Sequence, residues 1–279
     1  MFEAASVIIG TYDDLDILET SLAAFAVQSF RNFEIVVADD GSNQDYVPAL
    51  KLWAPRFSHG IQHVIHEKRG FRKARILNRA IQVSRFGNLI FVDMDCLPRN
   101  DFVETHLKYL APETVIAGRR VHLSRDVIPS PSEILKNGMG FGPLSLLRLW
   151  LRGKARVIEH GIASPFFYES SNNSLQGSNF SVHKKDVEAV NGFNEAFEGW
   201  GKEDMELGLR LQFSGVRIRN LRNKVIQYHL THPQLPSHNP ASDQIFETTK
   251  ATRMVRAPKG LAEIQQGDFN LESYPPQSD

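Results

Sequence analysis

This chain is short of cysteine, of net charge and of long apolar runs, and each shortage removes a class of protein. One cysteine among 279 residues, Cys96, excludes an intramolecular disulfide framework and suits a reducing compartment. Lys plus Arg equals Asp plus Glu at 32 each, so no global field draws in nucleic acid, and any anion site must come from local clustering. No apolar stretch approaches the roughly 18 residues that span a bilayer, and Met1–Ser6 lacks the basic-then-apolar pattern of a signal peptide. These features predict a soluble, cytoplasmic protein. No Gly-x-Gly-x-x-Gly and no Gly-x-x-x-x-Gly-Lys follows a strand, which disfavours a dinucleotide enzyme or a P-loop NTPase.

What is present is an alternation of strand and helix over the first 123 residues. Ser6–Ile9, Phe33–Ala38, Ile61–Ile65 and Asn88–Val92 read as buried strands. Asp14 or Asp16 caps a helix with Leu18, Leu22 and Phe25 on one face, and Arg72–Val83 reads as a second helix. Such alternation predicts an α/β fold with a mostly parallel sheet and right-handed crossovers. The regularity fails from Ser124 to Gln176, where Pro129, Pro131, Pro143 and the run Gly138–Gly142 intervene. A second ordered block covers Gly177 to Pro233, and the polar segment after Pro258 is expected to be loosely held. The expected organisation is a first half over 1–123, a second half of the same domain over 124–257, and a tail over 258–279.

Carboxylates sit where strands two and four end. Asp93-Met94-Asp95 places two acids of one parity at the carboxyl edge of a central strand, where open α/β sheets bind ligands. A divalent cation bridging to a phosphate would relieve their repulsion, since hard ions prefer oxygen ligands. At the same edge, Asp39-Asp40-Gly41-Ser42 offers a carboxylate for an imide N–H or a ribose hydroxyl. Lys68, Arg69, Arg72, Lys73 and Arg75 surround a strand-to-helix turn and form a local anion site suited to diphosphate. Trp200, flanked by Gly199 and Gly201, can present an aromatic face to a sugar, and Glu203 and Asp204 then open a helix. His229 and His232 lie at the end of a strand expected over Val225–Tyr228, and either could ligate a metal.

Together, Ser6–Tyr12, Phe33–Ser42 and Asp93–Asp95 resemble a family 2 glycosyltransferase of GT-A fold. Gly177–Pro233 resembles the C-terminal half shared by β-galactosyltransferases, polypeptide N-acetylgalactosaminyltransferases and bacterial chondroitin-type polymerases, and Phe71–Asn78 resembles the galactosyltransferase helix near the diphosphate. The resemblance implies a metal-dependent, inverting transferase moving a hexose or N-acetylhexosamine, galactose-type favoured, from a UDP-sugar to a saccharide or lipid-linked acceptor. It implies that Asp39 contacts uracil, that Thr11, Tyr12 and Asp40 line the nucleotide pocket with Arg69, Arg72, Lys73 and Arg75 beside them, and that Asp93 lies near the ribose or donor sugar. Asp95 and His229, with His232 as second choice, would hold Mn²⁺ or Mg²⁺. Asp204 would be the catalytic base with Glu203 orienting hydroxyls, and Trp200, Gly201, Gly177 and Asn179 would face the acceptor.

Two other classes were weighed. A non-catalytic nucleotide- or glycan-binding module needs neither an acid base nor a metal set. A nucleotidyltransferase needs a basic, glycine-rich loop after strand one, where Gly10-Thr11-Tyr12-Asp13-Asp14 is acidic. The stretch 143–156 is apolar and basic without an acid. It reads either as a membrane-surface segment or, preferred, as an amphipathic helix packed over the acceptor cleft.

Overall fold

The computed structural model describes residues 2–162, 168–170, 175–232 and 239–277. Pro233 and part of the segment 124–176 lie outside the described residues. The first half contains β1 (Ala5–Thr11), α1 (Leu15–Ala26), β2 (Phe33–Asp39), α2 (Val47–Trp53), β3 (Ile61–Ile65), α3 (Lys73–Val83) and β4 (Asn88–Asp93). β1 pairs in parallel with β2 and β4, and β2 with β3, so all four carboxyl ends share one edge. Both faces of these strands are covered, which explains their near-continuous apolar sequence. Val7 and Ile9 join one core with α1 and α2, while Ile8 and Val36 join another with α3. Asp14 caps α1 by accepting the Ile17 N–H at 3.2 Å.

The second half contains β5 (Cys96–Pro98), α4 (Phe102–Tyr109), β6 (Thr114–Ala117), β7 (Arg119–Leu123), α5 (Pro131–Asn137), α6 (Pro143–Leu151), β8 (Ala155–Arg156), β9 (Tyr168–Ser170), β10 (Asn179–His183), α7 (Lys184–Ala189), α8 (Glu203–Phe213), β11 (Arg217–Arg222), β12 (Ile226–Leu230), α9 (Pro240–Thr252) and β13 (Asn270–Tyr274). The main sheet runs β13-β3-β2-β1-β4-β10-β6-β11-β9, and a smaller sheet runs β5-β12-β7-β8.

Of the steps the chain makes between the sheets, the two shortest bear on the site. One is Met94–Asp95, between β4 and β5. The other is Gly118, where a Cβ would lie 2.4 Å from the Asn179 amide. No described helix is long and apolar enough to cross a membrane.

Two elements differ from expectation. The segment after Pro258 is not loose along its length: β13 pairs antiparallel with β3 and completes the sheet edge. Asp268 also bonds the buried guanidinium of Arg79 at 2.8 Å. No local apolar pattern announces this strand, because Asn270–Glu272 remain exposed and the pairing is carried by backbone and by Tyr274. The strand expected to end at Tyr228 continues to Leu230, so His229 projects from within it.

Candidate active site

Parallel register places Gly10 beside Asp93 and Thr11 beside Asp39. A cavity of about 180 Å³ opens there, lined on one side by Thr11, Tyr12 and Asp40 and on the other by Asp93, Asp95 and Trp200. The Thr11 hydroxyl is buried and has no hydrogen-bond partner among the described residues. Asp39 does not line this cavity. It is fully buried, accepting the Ser42 N–H at 2.8 Å and meeting His63 at 3.1 Å, and so it holds the Gly41 turn. Asp40 reaches the cavity while bonded to His66 at 2.6 Å and to the Arg72 N–H at 2.8 Å.

The basic cluster splits across α3. Lys73 faces the cleft and donates to the Asp93 carboxylate. Residues two apart on a helix differ by about 200°, so Arg75 points the other way. Arg75 pairs with Asp268 at 3.1 Å, Arg69 pairs with Glu67 at 2.6 Å, and both line a separate cavity with Arg72. The expectation that Arg69, Arg72 and Arg75 flank the donor pocket is therefore corrected, and Lys73 alone of the four lines it. Burial works against the Lys73 charge, but Asp93, Glu203 and Asp204 outweigh it and raise its pKa.

Three metal-ligating side chains converge at the joint between the sheets. Asp95 Oδ2 lies 3.3 Å from His229 Nε2 and 3.2 Å from His232 Nε2. One ligand atom from each residue falls within 4.8 Å of the others. The Leu230 N–H donates to the Asp95 carbonyl at 2.9 Å, which locks β12 to the turn after β4. Burial acts to raise the Asp95 pKa, yet hydrogen bonds from both histidines hold it well below the ordinary carboxylate range. His122 packs edge-on to His229 with ring centres 4.9 Å apart. Burial, with His229 and Arg120 nearby, pushes His122 down to about 4, so it stays neutral. One carboxylate and two imidazoles are a donor set that can hold a divalent cation.

A second cavity of about 270 Å³ adjoins the first, and the two share Lys73, Asp93 and Trp200. Glu203 and Asp204 line it at the start of α8. Asp204 Oδ2 accepts the Gly177 N–H at 2.6 Å and its Oδ1 the Met205 N–H at 2.7 Å. A Cβ on Gly177 would sit 3.0 Å from Asp204 Cβ, which makes this approach glycine's. Gly201 and Lys202 both have positive φ, +115° and +68°, and this turn lets Trp200 project with 45% of its surface exposed. Burial, then the Asp204 charge, pushes Glu203 up to about 7, and burial raises Asp204 as well.

Asn179 is another correction. It is fully buried and donates to the carbonyls of Arg119 and Val225 at 3.1 and 3.0 Å, so it ties the sheets together and lines neither of these two cavities. The segment 143–156 lines neither cavity, which corrects the expectation that it covers the acceptor cleft. Sequence reading overlooked Arg120, Asn239 and Asp243, all of which line the second cavity. Arg120 alternates with Val121 on β7, a period-2 signal that marks a strand with one face on a site. Asn239 and Asp243 lie beyond the motif-bearing block, and only the fold returns α9 to Lys202, which pairs with Asp243 at 2.7 Å.

Parallel strands with acids at their carboxyl edge, extended by β10 running antiparallel, form a GT-A fold. The structure superposes on S. aureus TarS bound to UDP-GlcNAc with a TM-score of 0.65, 16% identity, and coverage of 92% of this chain and 68% of that one. It superposes on GalNAc-T7 with UDP, GalNAc and Mn²⁺ with a TM-score of 0.63, 14% identity, and coverage of 89% and 48%. The profile of glycosyl transferase family 2 matches residues 6–163, more than half of the sequence, and the chain belongs to that family. Residues 159–233 match a profile described as the N-terminal domain of galactosyltransferase. Chondroitin synthase of Escherichia coli is 24% identical over 258 residues, covering 84% of this chain. Validoxylamine A glucosyltransferase of Streptomyces hygroscopicus subsp. jinggangensis is 29% identical over 232 residues, covering 76%. The chain spans 35% and 52% of the lengths of these two relatives.

Proposed function

We propose that this glycosyltransferase moves a hexose or N-acetylhexosamine, galactose-type favoured, from a UDP-sugar to a saccharide hydroxyl with inversion. The observation that carries the reading is a pair of adjoining cavities that share Lys73, Asp93 and Trp200, with the Asp95–His229–His232 cluster beside one and the Glu203–Asp204 pair lining the other. The printed partners of two structural neighbours, UDP-GlcNAc with TarS and UDP, GalNAc and Mn²⁺ with GalNAc-T7, support the donor class. The match of residues 159–233 supports the galactose preference.

In this reading Thr11, Tyr12 and Asp40 receive the nucleotide, and Asp39 holds the turn behind them. Asp204 takes the proton of an acceptor hydroxyl as that oxygen attacks the anomeric carbon. The bond from that carbon to the diphosphate breaks on the opposite face, UDP leaves, and the configuration inverts. Gly177 and Met205 hold both Asp204 oxygens so that the carboxylate is aimed before substrate arrives. Glu203 shares the site and orients hydroxyls, and Trp200 offers an apolar face to a sugar ring. Asp95, His229 and His232 would hold a divalent cation, which when bound stabilises charge on the departing diphosphate. The acceptor is a saccharide, free or lipid-linked.

A donor screen tests the reading. UDP-galactose, UDP-glucose, UDP-GalNAc and UDP-GlcNAc are incubated with the protein, with Mn²⁺ or with EDTA, and UDP release is followed. Release from one donor that EDTA abolishes is expected. No release and no UDP binding with any donor would sink it in favour of a binding module.

A further inference from the structure

Large apolar side chains are not spread evenly over this surface. Of the twelve exposed ones among the described residues, five (Leu144, Leu147, Trp150, Leu151 and Val157) fall within 144–157. On α6, Leu144, Leu147 and Leu151 follow an i, i+3, i+7 spacing with Trp150 beside them, so they share one outward face. Leu146, fully buried, lies roughly 100–160° around the helix from the three leucines and reaches the core beside Gly161 and Val121, with Trp150 at the boundary between the two faces. The outward leucines and tryptophan thus leave between 43% and 70% of their surface exposed. Exposed Arg148, Arg152 and Arg156 border them, and no Asp or Glu occurs between Glu133 and Glu159.

We propose that α6 and the turn after it dock the protein on an anionic phospholipid surface. Leucines and a tryptophan on one face with arginines at its margin are the chemistry that inserts into a headgroup layer. The charge is of the sign that anionic lipid attracts, and the acid-free stretch puts no carboxylate against the headgroups. A patch meant to bury against another protein has no need of an acid-free border.

The placement also suits a working enzyme. α6 packs on β8 and on the 158–161 turn, which lies on the face of β7 and β12 that carries Val121 and Tyr228, whereas His122 and His229 project from the other face. Docking through α6 thus leaves the cleft open, and an acceptor held at a membrane could reach it. The docking itself does not depend on which donor or metal the cleft takes.

Flotation with phosphatidylcholine vesicles, with and without phosphatidylglycerol, tests the proposal on the full chain. Binding is expected only with phosphatidylglycerol, and should weaken as salt rises. The double variant Leu147→Glu, Trp150→Glu should lower binding by about tenfold or more, with an unchanged melting temperature and unchanged UDP release. Should that variant fold poorly, Arg148→Glu, Arg152→Glu alters only exposed charges and should also abolish the phosphatidylglycerol preference. Equal binding to both vesicle types, or undiminished binding by a folded variant, overturns the proposal. So does sedimentation velocity showing a wild-type dimer that Leu147→Glu, Trp150→Glu converts to monomer without any vesicle binding, which would make the face a contact between copies.

Discussion

The carboxylate of Asp204 accepts the backbone N–H of Gly177 at 2.6 Å, so a glycine on the approach to β10 fixes the acid that opens α8. Gly177→Ala puts a Cβ about 3.0 Å from Asp204 Cβ and 3.1 Å from its Oδ2, and one of the two must move. The expected outcome is a variant that melts like wild type and binds UDP normally, but turns over about 10²-fold more slowly, the scale of a displaced catalytic group. Steady-state kinetics with a fixed donor reads it.

The buried Glu203–Asp204 pair predicts a pH dependence. Glu203 is raised from 4.5 to about 7, so the folded protein holds a proton there that the unfolded chain has released. Folding stability from this group therefore falls as pH rises through that window and is flat above it. Glu203→Gln should flatten that slope in urea titrations between pH 5 and pH 8. In wild type, turnover should climb with pH over a range above the ordinary carboxylate one, because Asp204, raised by burial, must be ionised to take the acceptor proton.

Lys73 and Arg75 provide a paired test of how α3 is oriented. Lys73→Met removes the cation beside Asp93, Glu203 and Asp204, so UDP affinity should fall and the pH profile should move upward. Arg75→Met faces the other cavity and should leave UDP affinity unchanged. Calorimetry on the two variants decides the matter, and equal losses would contradict the observed split.

Much of the first half of the chain was legible because its signals are local. Apolar runs of strand length ending in acids, with helix caps between them, fix both the strand positions and the edge where Thr11, Asp40, Asp93 and Asp95 meet. What escaped depends on contacts between distant segments. Nothing near Asp39 states that His63, on the neighbouring strand, consumes its second oxygen, and nothing near Asn179 states that it bridges Arg119 and Val225. The cluster Arg69, Arg72, Lys73 and Arg75 looked uniform in sequence, and helix phase divided it. His229 and His232 read as alternatives in sequence, and both lie within 3.3 Å of Asp95.

The C-terminal strand yields a stability prediction. Truncation after Gly267 removes β13, buried Tyr274 and the Asp268 partner of Arg79, and exposes the edge of β3. Stability should drop by at least about 2 kcal/mol, the scale of one large buried side chain. An unpaired edge also invites association, so light scattering should rise. Urea denaturation of the truncated and full chains, run in parallel, measures the loss.

The central claim is that Asp204 is the base of a UDP-sugar transferase. The direct test is Asp204→Asn, measured for donor turnover and, separately, for UDP affinity in the presence of Mn²⁺. Turnover should fall by about 10²–10⁴-fold, the range of positioned base catalysis, with UDP affinity unchanged. Turnover equal to wild type, or UDP affinity lost along with it, would contradict the assignment.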